Sequence, residues 1–390
     1  MRVAIVHDWL YVLGGAERVL KELLACYPGA DVFTLFDVLS GEERASIGYK
    51  KSKTSFLQRI PRIGKIHRAL LPLMPLAIEQ LDLSGYDLVI SSSCAVAKGV
   101  ITGPDQVHVA YVHSPMRYAW DLQHQYLNGS GGLKGLFARL LLHRIRTWDA
   151  SSGLRPDAIV ANSAYVARRI RKAFGRAAEV IHPPVDVTPQ AAGTPRQDYF
   201  LAAGRLVGYK NTRAIIEAFK LMPDLKLVIA GSGPEAASLR AMAGPNVTFK
   251  DSAGDREMRG LMAGARALIF AAEEDFGIVP LEAQAEGTPV LALGRGGARE
   301  TVIGHGAGQT GMFFETPEPS SIAACVNAFL ASQSVFSREA CQAHARNFGA
   351  SRFRQQFKSF AEREMERVRL EISSSRAVQR TPREHLALAG

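Results

Sequence analysis

Two glutamates, Glu274 and Glu282, are separated by seven residues within the stretch from Arg266 to Gly294, RALIFAAEEDFGIVPLEAQAEGTPVLALG. The apolar run ALIF predicts a buried strand, and residues 273–277 predict a turn at its carboxyl end. Residues 279–286 predict a short helix, which the sequence GTP ends before a second strand. In an open parallel sheet, such a turn lies where ligands bind. Carboxylates accept hydrogen bonds, so the expected partners of the two glutamates are hydroxyl groups.

Three residues lead from the acidic turn into the helix: Phe276, Gly277 and Ile278. Backbone N–H groups in the first turn of a helix have no partner inside the helix. Together with the positive end of the helix dipole, they form a site for phosphate. A bare phosphate would be repelled by Glu274 and Glu282, so the expected ligand carries sugar or ribose hydroxyls beside its phosphates. The segment therefore predicts binding of a nucleotide sugar.

The pattern E-x-F-G-x-x-x-L-E, followed by A-x-G-x-P-V-x-A, covers residues 274–292. It resembles the retaining glycosyltransferases of family 4, which have the GT-B architecture. The resemblance implies two Rossmann-like domains that face each other across a cleft, and a last helix that crosses back to the first domain. It also implies roles for the two glutamates. Glu274 would hold hydroxyls of the transferred sugar, and Glu282 would accept hydrogen bonds from the ribose.

Two basic residues, Arg205 and Lys210, follow the first strand of the second half in the sequence AAGRLVGYKN. They are five positions apart around a glycine, so both side chains could reach one ligand. A diphosphate leaving group gains negative charge as the bond to the sugar breaks, and an arginine with a lysine would stabilise that charge. The sequence has no D-x-D motif. We therefore expect no metal and no cofactor, only the nucleotide-sugar substrate.

In the first half, the resemblance points to a glycine pair and a histidine. Gly14 and Gly15, in DWLYVLGGAERV, correspond to a loop that similar enzymes use to contact the donor phosphate or the acceptor. His113, in YVHSPMRYAWD, corresponds to a histidine close to the donor sugar, where it would hydrogen-bond a hydroxyl rather than act as a nucleophile. The phrase H-x-P-M-R-Y-A-W-D resembles bacterial O-antigen and exopolysaccharide enzymes that use GDP-mannose. The expected catalytic group is thus His113, Arg205, Lys210 and Glu274.

Strand and helix alternate twice along the chain, which predicts parallel sheets covered by helices on both faces, an α/β fold. Strands are expected at residues 2–9, 30–36, 86–93, 107–114 and 158–163, and again at 198–206, 226–233, 246–252, 266–272 and 289–294.

A chain of 390 residues suits two domains of ordinary size. The prolines of residues 180–189 favour an extended linker. We therefore expect an N-terminal Rossmann-like acceptor domain over residues 1–184 and a C-terminal nucleotide-sugar donor domain over 185–350. A helix over 351–371 should return to the first domain, and residues 372–390 should form a loose tail.

The net charge of +10 is concentrated in part on the segment from Arg44 to Ile78, which has no acidic residue and interleaves basic with large aliphatic side chains. Such a segment can lie in the headgroup region of an anionic membrane. A second tract, GLKGLFARLLLHRIR over residues 132–146, has the same property. The alternative for each is a helix packed on the core with its charged face in water. The basic candidates for the membrane surface are Lys50, Lys51, Lys53, Arg59, Arg62, Lys65 and Arg68.

Location follows from what the sequence lacks. The first residues, MRVAIVHDWL, contain an apolar run too short for a signal peptide, and no stretch approaches the ~20 apolar residues of a membrane span. Four scattered cysteines without metal-ligand spacing fit a reducing compartment. The protein is therefore expected in the cytoplasm, peripherally associated with the inner face of the plasma membrane.

These features favour a retaining glycosyltransferase that moves mannose from GDP-mannose to a lipid-linked oligosaccharide in bacterial lipopolysaccharide or exopolysaccharide synthesis. The alternatives are a UDP-sugar-dependent transferase of the same family, a sugar-nucleotide 2-epimerase, and a non-enzymatic basic adaptor for membrane or nucleic acid. Nucleic acid is not an expected partner, because the sequence has neither a zinc finger nor an aromatic RNA-binding signature.

Overall fold

The computed structural model describes residues 1–127, 131–189, 191, 193–251 and 254–380. The chain divides into two compact units. Unit 1 contains residues 1–162, 166–181 and those from 354 onward, and unit 2 contains residues 163–165 and 182–353. The main division lies between residues 181 and 182, close to the expected domain boundary at 184.

Unit 1 is built on a seven-stranded parallel sheet. Its strands are β1 (Val3–His7), β2 (Asp31–Thr34), β3 (Ser52–Thr54), β4 (Leu88–Ser93), β5 (Val107–Val112), β6 (Ala158–Ala161) and β7 (Glu179–Val180). Their order in the sheet is β3-β2-β1-β4-β5-β6-β7. The central strands β1, β4 and β5 are buried along their whole length, since helices cover both faces of the sheet.

The helices of unit 1 pack on both faces of this sheet. Leu142 and Ile145 join one buried cluster with Ile78, and Ile170 joins a second cluster against β5 and β6. The helices are α1 (Gly15–Cys26), α2 (Gly41–Ile47), α3 (Ile63–Ile66), α4 (Met74–Glu79), α5 (Gln123–Leu127), α6 (Gly132–Ser152) and α7 (Ala164–Phe174). The first residues of α7, up to Tyr165, belong to unit 2.

Unit 2 repeats the design with a six-stranded parallel sheet. Its strands are β8 (Phe200–Ala203), β9 (Leu227–Ala230), β10 (Val247–Lys250), β11 (Leu268–Phe270), β12 (Val290–Leu293) and β13 (Gly311–Phe314), in the order β10-β9-β8-β11-β12-β13. One apolar cluster lies on each face of the sheet. The helices are α8 (Thr212–Lys220), α9 (Ala236–Met242), α10 (Asp255–Gly264), α11 (Ile278–Ala285), α12 (Ala298–Thr301), α13 (Pro319–Ala331) and α14 (Arg338–Arg346), and the last helix, α15 (Ala350–Arg380), begins in unit 2 and belongs to unit 1 from residue 354 onward.

Two parallel-sheet Rossmann-like α/β domains are therefore confirmed. Each of the ten expected strands has a counterpart, but β3, β7 and β13 were missed. All three are edge strands, and β7 (EV) is too short to show a pattern, whereas β13 (GMFF) was missed although three of its four residues are apolar. β3, with the sequence SKT, has no apolar residue at all.

The C-terminal helix α15 passes from unit 2 into unit 1, where Arg354 donates to Glu22 and Arg363 donates to Glu179. It ends at Arg380, beyond the predicted end at residue 371, so the expected tail begins too early. The residues after 371 contain no glycine or proline until Pro382, and nothing in that stretch breaks a helix. The rest of the predicted tail, 381–390, lies outside the described residues.

In the described ranges, no helix combines the length and the apolar composition that a bilayer span requires.

Burial of His108 on β5 makes the stability of unit 1 depend on pH. Its side chain is fully buried and its Nε2 lies 2.8 Å from Ser91 Oγ. Loss of water around the cation, with repulsion from Arg155 and Arg176, lowers the pKa of His108 to about 3. Below pH ~6.5, His108 binds a proton in the unfolded chain but stays neutral in the folded chain. The free energy of unfolding therefore falls as the pH falls.

Between pH 7 and pH 5, the free energy of unfolding should fall by about 2 kcal/mol less in His108→Gln than in the wild type. The reason is that the variant lacks the imidazole that binds a proton in the unfolded chain. Urea denaturation of both full chains at the two pH values measures this difference. All other titrating groups are common to the two proteins, so equal losses would contradict the assignment.

Candidate functional site

In unit 2, the direction of chain progression through the sheet reverses at one point. From β8 the chain adds β9 and β10 on one side, and then returns to place β11 on the other side of β8. The loops that follow β8 and β11 therefore leave the sheet side by side, as at the ligand-binding crevices of open α/β sheets. Arg205 and Lys210 lie in the first loop, and Glu274 lies in the second. A small cavity between the loops is lined by Gly204, Arg205, Lys210, Thr212, Ala271 and Ala272, among others.

Lys210 and Glu274 meet directly, because the Lys210 ammonium donates to Glu274 Oε1. Both side chains are largely buried, with 14% and 19% of their surfaces exposed. The ammonium also lies 5.5 Å from the centre of the Phe270 ring, a cation–π contact. Next in sequence, Asn211 donates from Nδ2 to the carbonyl of Ala271 at 2.9 Å, which ties the two loops together. The predicted basic and acidic partners are thus assembled in one place.

Arg205 lies in the same loop as Lys210, but its side chain is exposed. Among the described residues it has no side-chain partner. The site therefore presents one cation already paired with a carboxylate and a second cation whose guanidinium is accessible to a ligand. A guanidinium can hold two oxygens of a phosphate at once.

Contacts within unit 2 fix the shape of the acidic turn. Ser163 Oγ donates to the carbonyl of Asp275, and Tyr165 Oη donates to Glu273 Oε1 at 2.8 Å. On another side, the Gly297 N–H donates to the carbonyl of Glu274 at 2.8 Å. A Cβ at Gly297 would lie 2.3 Å from Phe276 Cα, so only glycine allows this approach. The turn is positioned from both sides by backbone and side-chain hydrogen bonds.

The turn ends at Gly277, the N-cap of α11, whose φ of 97° is in the left-handed region that favours glycine. No side chain caps this helix among the described residues, so its first N–H groups remain available. The Phe276 side chain is buried and stacks on His182, with ring centres 5.3 Å apart. Phe276 thus anchors the turn through its ring, and only its backbone is a candidate ligand group. Glu282 lies one turn into α11 and is half-buried.

In unit 1, the predicted glycine pair lies at the start of α1. Gly14 is the N-cap, with extended backbone that any residue adopts (φ −133°), and Gly15 is the first helical residue. The Gly14 N–H already donates to Glu17 Oε2 at 2.9 Å in a capping arrangement. Gly14 therefore serves the helix start, and this N–H is not free for a donor phosphate.

His113 follows β5, and its Nε2 lies 2.9 Å from Ser92 Oγ on the neighbouring strand β4. Asn162 Nδ2 donates to the His113 carbonyl at 2.9 Å, which fixes the backbone here. Burial, together with repulsion from His7, lowers the pKa of His113 to about 4. The imidazole is consequently neutral at physiological pH and can both donate and accept a hydrogen bond.

Several residues that shape these sites were not found from the sequence. Ser163, Tyr165 and Gly297 position the acidic turn, and Asp8 accepts hydrogen bonds from the N–H groups of Cys94, Ala95, Val96 and Ala97 at 2.6–3.0 Å. The glycine pair in GRGG, directly after the last predicted strand, was the available signal for Gly297. Within the described part of the chain, no cluster of three or more His, Cys, Asp or Glu side chains could hold a metal ion.

The fold and these loop sites define a GT-B protein. Comparison with protein families identifies residues 13–188 as a match to the model "Glycosyltransferase Family 4" and residues 188–348 as a match to "Glycosyl transferases group 1". The chain therefore contains two glycosyltransferase-family domains, one matched by each model, in a GT-B fold.

Curated relatives include mannosyltransferases. The alpha-1,3/1,6-mannosyltransferase alg2 of Schizosaccharomyces pombe is 25% identical over 269 residues, which are 56% of this chain and 51% of the relative. A GDP-mannose-dependent phosphatidylinositol monomannoside mannosyltransferase of Corynebacterium glutamicum is 33% identical over 181 residues, 38% of this chain and 48% of the relative. The chain spans about half the length of the curated relatives it matches.

Solved structures with the same fold include HepE of Anabaena in complex with UDP. It is 19% identical, covers 93% of this chain and all of its own, and has a TM-score of 0.69. Sucrose-phosphate synthase of Thermosynechococcus elongatus is 16% identical, with 93% and 99% coverage and a TM-score of 0.66.

Gly297→Ala should destabilise unit 2 by about 1–3 kcal/mol, because the added methyl group overlaps the Phe276 backbone. Urea denaturation measures the change. Gly260→Ala is the matched control, since Gly260 lies inside α10 with no atom within 4 Å of the added Cβ. The control should be neutral or stabilising, and a Gly297→Ala variant as stable as the control would show that the turn is not packed as described.

Proposed function

We propose that the protein is a retaining glycosyltransferase that transfers a hexose from a nucleotide-diphosphate sugar. The observation that carries the proposal is the pairing of Lys210 with Glu274 beside the exposed Arg205, at the point where the strand order reverses. A diphosphate needs cations and a sugar needs hydrogen-bond acceptors, and both kinds of group lie together here. The uncapped N-terminus of α11 adds N–H donors next to the acidic turn.

In the proposed reaction, Arg205, Lys210 and the amides of residues 276–278 hold the diphosphate and stabilise its charge as the glycosidic bond breaks. Glu274 holds hydroxyls of the transferred sugar, Glu282 holds the ribose, and His113 hydrogen-bonds a sugar hydroxyl. Positive charge from the two basic side chains makes a metal ion unnecessary. For retention, we propose attack on the face from which the phosphate departs, with the phosphate taking the proton of the acceptor, since no carboxylate is an evident nucleophile.

For the donor we propose GDP-mannose. Support comes from relatives whose names specify mannosyl transfer or GDP-mannose, and from the H-x-P-M-R-Y-A-W-D phrase that begins at His113. A UDP-sugar is the second candidate, favoured by HepE, which has the same fold and was solved with UDP.

For the acceptor we propose a lipid-linked saccharide of bacterial surface polysaccharide synthesis, reached at the inner face of the plasma membrane. The first half of α6 supports a membrane location. Leu133, Leu136, Phe137 and Leu140 are 86%, 54%, 69% and 57% exposed, and their spacing places them on one helix face. The opposite face, with Leu142 and Ile145, is buried in the core.

The charge around this apolar face suits an anionic lipid surface. The exposed Lys134, Arg139 and Arg144 accompany it, and no acidic residue occurs between Asp121 and Asp149. We therefore propose that α6 lies in the membrane interface, with its apolar side chains in the headgroup region and its basic side chains near lipid phosphates.

The basic segment predicted from the sequence is a weaker candidate. All seven of its named residues are exposed, but Lys53 lies on β3 and its Nζ donates to Tyr86 Oη at 2.8 Å and to Asp31 at 3.3 Å. Leu57 and Ile63 from the same segment are buried in the core. We therefore propose α6 as the main contact, with the other six basic residues adding long-range attraction.

GDP, GDP-mannose, UDP and UDP-glucose should be compared by the rise each produces in the melting temperature of the purified protein. We expect the GDP compounds to give the largest rise, and the rise to persist with EDTA. A larger rise with the UDP compounds would identify the second candidate, and no rise with any nucleotide would contradict the proposed function.

Lys210→Met should weaken binding of GDP by about 1.5–3 kcal/mol, the usual contribution of a hydrogen bond to a charged group, which calorimetry can measure. Lys226→Met removes the same charge from an exposed lysine just before β9, at the opposite end of the strands, and should bind GDP like the wild type. Equal affinity of the two variants for GDP would show that Lys210 does not contact the nucleotide.

The α6 face is tested by sedimentation with vesicles of phosphatidylcholine containing phosphatidylglycerol. Leu136→Gln with Phe137→Gln should reduce binding about tenfold or more, because two apolar side chains no longer enter the lipid. Leu154→Gln with Leu370→Gln changes two leucines of similar exposure elsewhere, 62% and 60%, and should bind as the wild type does. Equal binding by both double variants would exclude α6 as the contact.

A further inference from the structure

An open cavity of about 460 Å³ lies in unit 2, at the amino ends of the strands. Its lining comes from the residues just before β8 and β11 and from the connection between α13 and α14. The loops that carry Arg205 and Glu274 leave the other ends of β8 and β11, so the cavity is separate from them. Pockets that bind small molecules have volumes of roughly 300–1,000 Å³. The cavity is therefore large enough for a small metabolite.

Positive charge is in excess along this cavity. Three arginines line it, Arg196, Arg266 and Arg338, with one acidic residue, Asp198. Arg266 Nη2 lies 2.7 Å from Asp198 Oδ1, so these two charges form an ion pair. Arg196 and Arg338 form no ion pair with any described residue. Two positive charges consequently remain without a carboxylate partner.

Backbone carbonyls hold the two unpaired guanidinium groups in place. Arg196 donates two hydrogen bonds and Arg338 donates three, at 2.8–3.3 Å, to the carbonyls of Thr194, Ala263, Arg266, Glu286 and Gly287. A guanidinium has five N–H donors, so three remain on Arg196 and two on Arg338, without a partner among the described residues. A carbonyl has no net charge. These bonds therefore fix the cations without neutralising them.

The two cations also repel each other. Partial loss of water around its guanidinium, together with repulsion from Arg338, lowers the pKa of Arg196. Glu339, exposed on α14, attracts Arg196 at longer range but forms no ion pair with it. Arginine stays charged at physiological pH, so the repulsion persists in the folded protein. An anion that contacts both guanidinium groups would offset it.

Apolar rings form another part of the cavity wall. Phe329 and Phe336 line the cavity with their ring centres 5.1 Å apart, and both are largely buried. Gln333, between α13 and α14, lines the cavity and is exposed. The wall thus combines cations, which suit a phosphate group, with an apolar surface, which suits an organic group.

We propose that this cavity is a second ligand site, which binds a small organic phosphate. Arg196 and Arg338 hold the phosphate group through their remaining N–H donors, since a guanidinium can bind two phosphate oxygens at once. The organic part of the ligand lies against Phe329 and Phe336. This site does not depend on the proposed transferase activity, because it shares no residue with the loops after β8 and β11.

Phenyl phosphate is a suitable probe, because it joins one phosphate group to one apolar ring. Calorimetry with the full chain should show binding of phenyl phosphate, weaker binding of inorganic phosphate and no detectable binding of phenol. Absence of phenyl phosphate binding would overturn the proposal. Phenol binding as tight as that of phenyl phosphate would overturn it as well, because the arginines would then not hold the ligand.

Gln333→Glu places a carboxylate of nearly the same shape in the cavity, at an exposed residue whose side chain makes no hydrogen bond to the described residues. It should weaken phenyl phosphate binding about tenfold, because the carboxylate repels the phosphate and attracts the arginines. Gln355→Glu makes the same change at an exposed residue of α15 in unit 1 and should bind as the wild type does. Equal affinity of these two variants would contradict the site.

Arg205→Gln tests whether the probe binds at the loops after β8 and β11 instead. It removes the exposed cation there and leaves the cavity unchanged, so the affinity for phenyl phosphate should equal that of the wild type. Binding that is weakened by Arg205→Gln but not by Gln333→Glu would assign the probe to those loops and overturn the proposal.

Discussion

In a parallel sheet, the loops that follow the strands all begin at the carboxyl edge, and the structure of each unit depends on this constraint. In unit 2, the position of β8 between β9 and β11 brings loops from distant parts of the sequence together. The contact of Lys210 with Glu274 is a direct result. A cation and a carboxylate that are largely removed from water stabilise each other more than an exposed pair would.

The acidic turn depends on backbone packing as much as on charge. Only glycine at position 297 can approach the Phe276 backbone this closely, because any side chain there would overlap it. The Phe276 ring lies in a small apolar cluster with Val185, Leu281 and Phe348. Because the turn is held from several sides, Glu274 keeps its position without depending on a bound ligand. Preorganised groups of this kind need little rearrangement during a reaction.

Unit 1 contains buried polar groups that stabilise specific arrangements. Lys98 donates to Asp149, Trp120 Nε1 donates to the same carboxylate at 2.7 Å, and four N–H groups donate to Asp8. Groups that lose water must find partners inside the protein, so each network permits few alternatives.

The sequence determined the two α/β domains, the central strands and the loops that carry Arg205, Lys210, Glu274 and His113. These predictions succeeded because apolar runs and local motifs depend on neighbouring residues. The strands β3 and β7 were not predicted because their short sequences, SKT and EV, carry little apolar signal, and β13 was missed although its sequence, GMFF, is mostly apolar. The end of α15 was not predicted because no local breaker marks residue 371. Only the tertiary structure decided that Gly14 caps its own helix, that Lys210 pairs with Glu274, that Gly297 supports the turn and that α6 leaves an apolar face exposed. Each of these depends on which distant segments come into contact, and strand order and side-chain packing fix that in three dimensions.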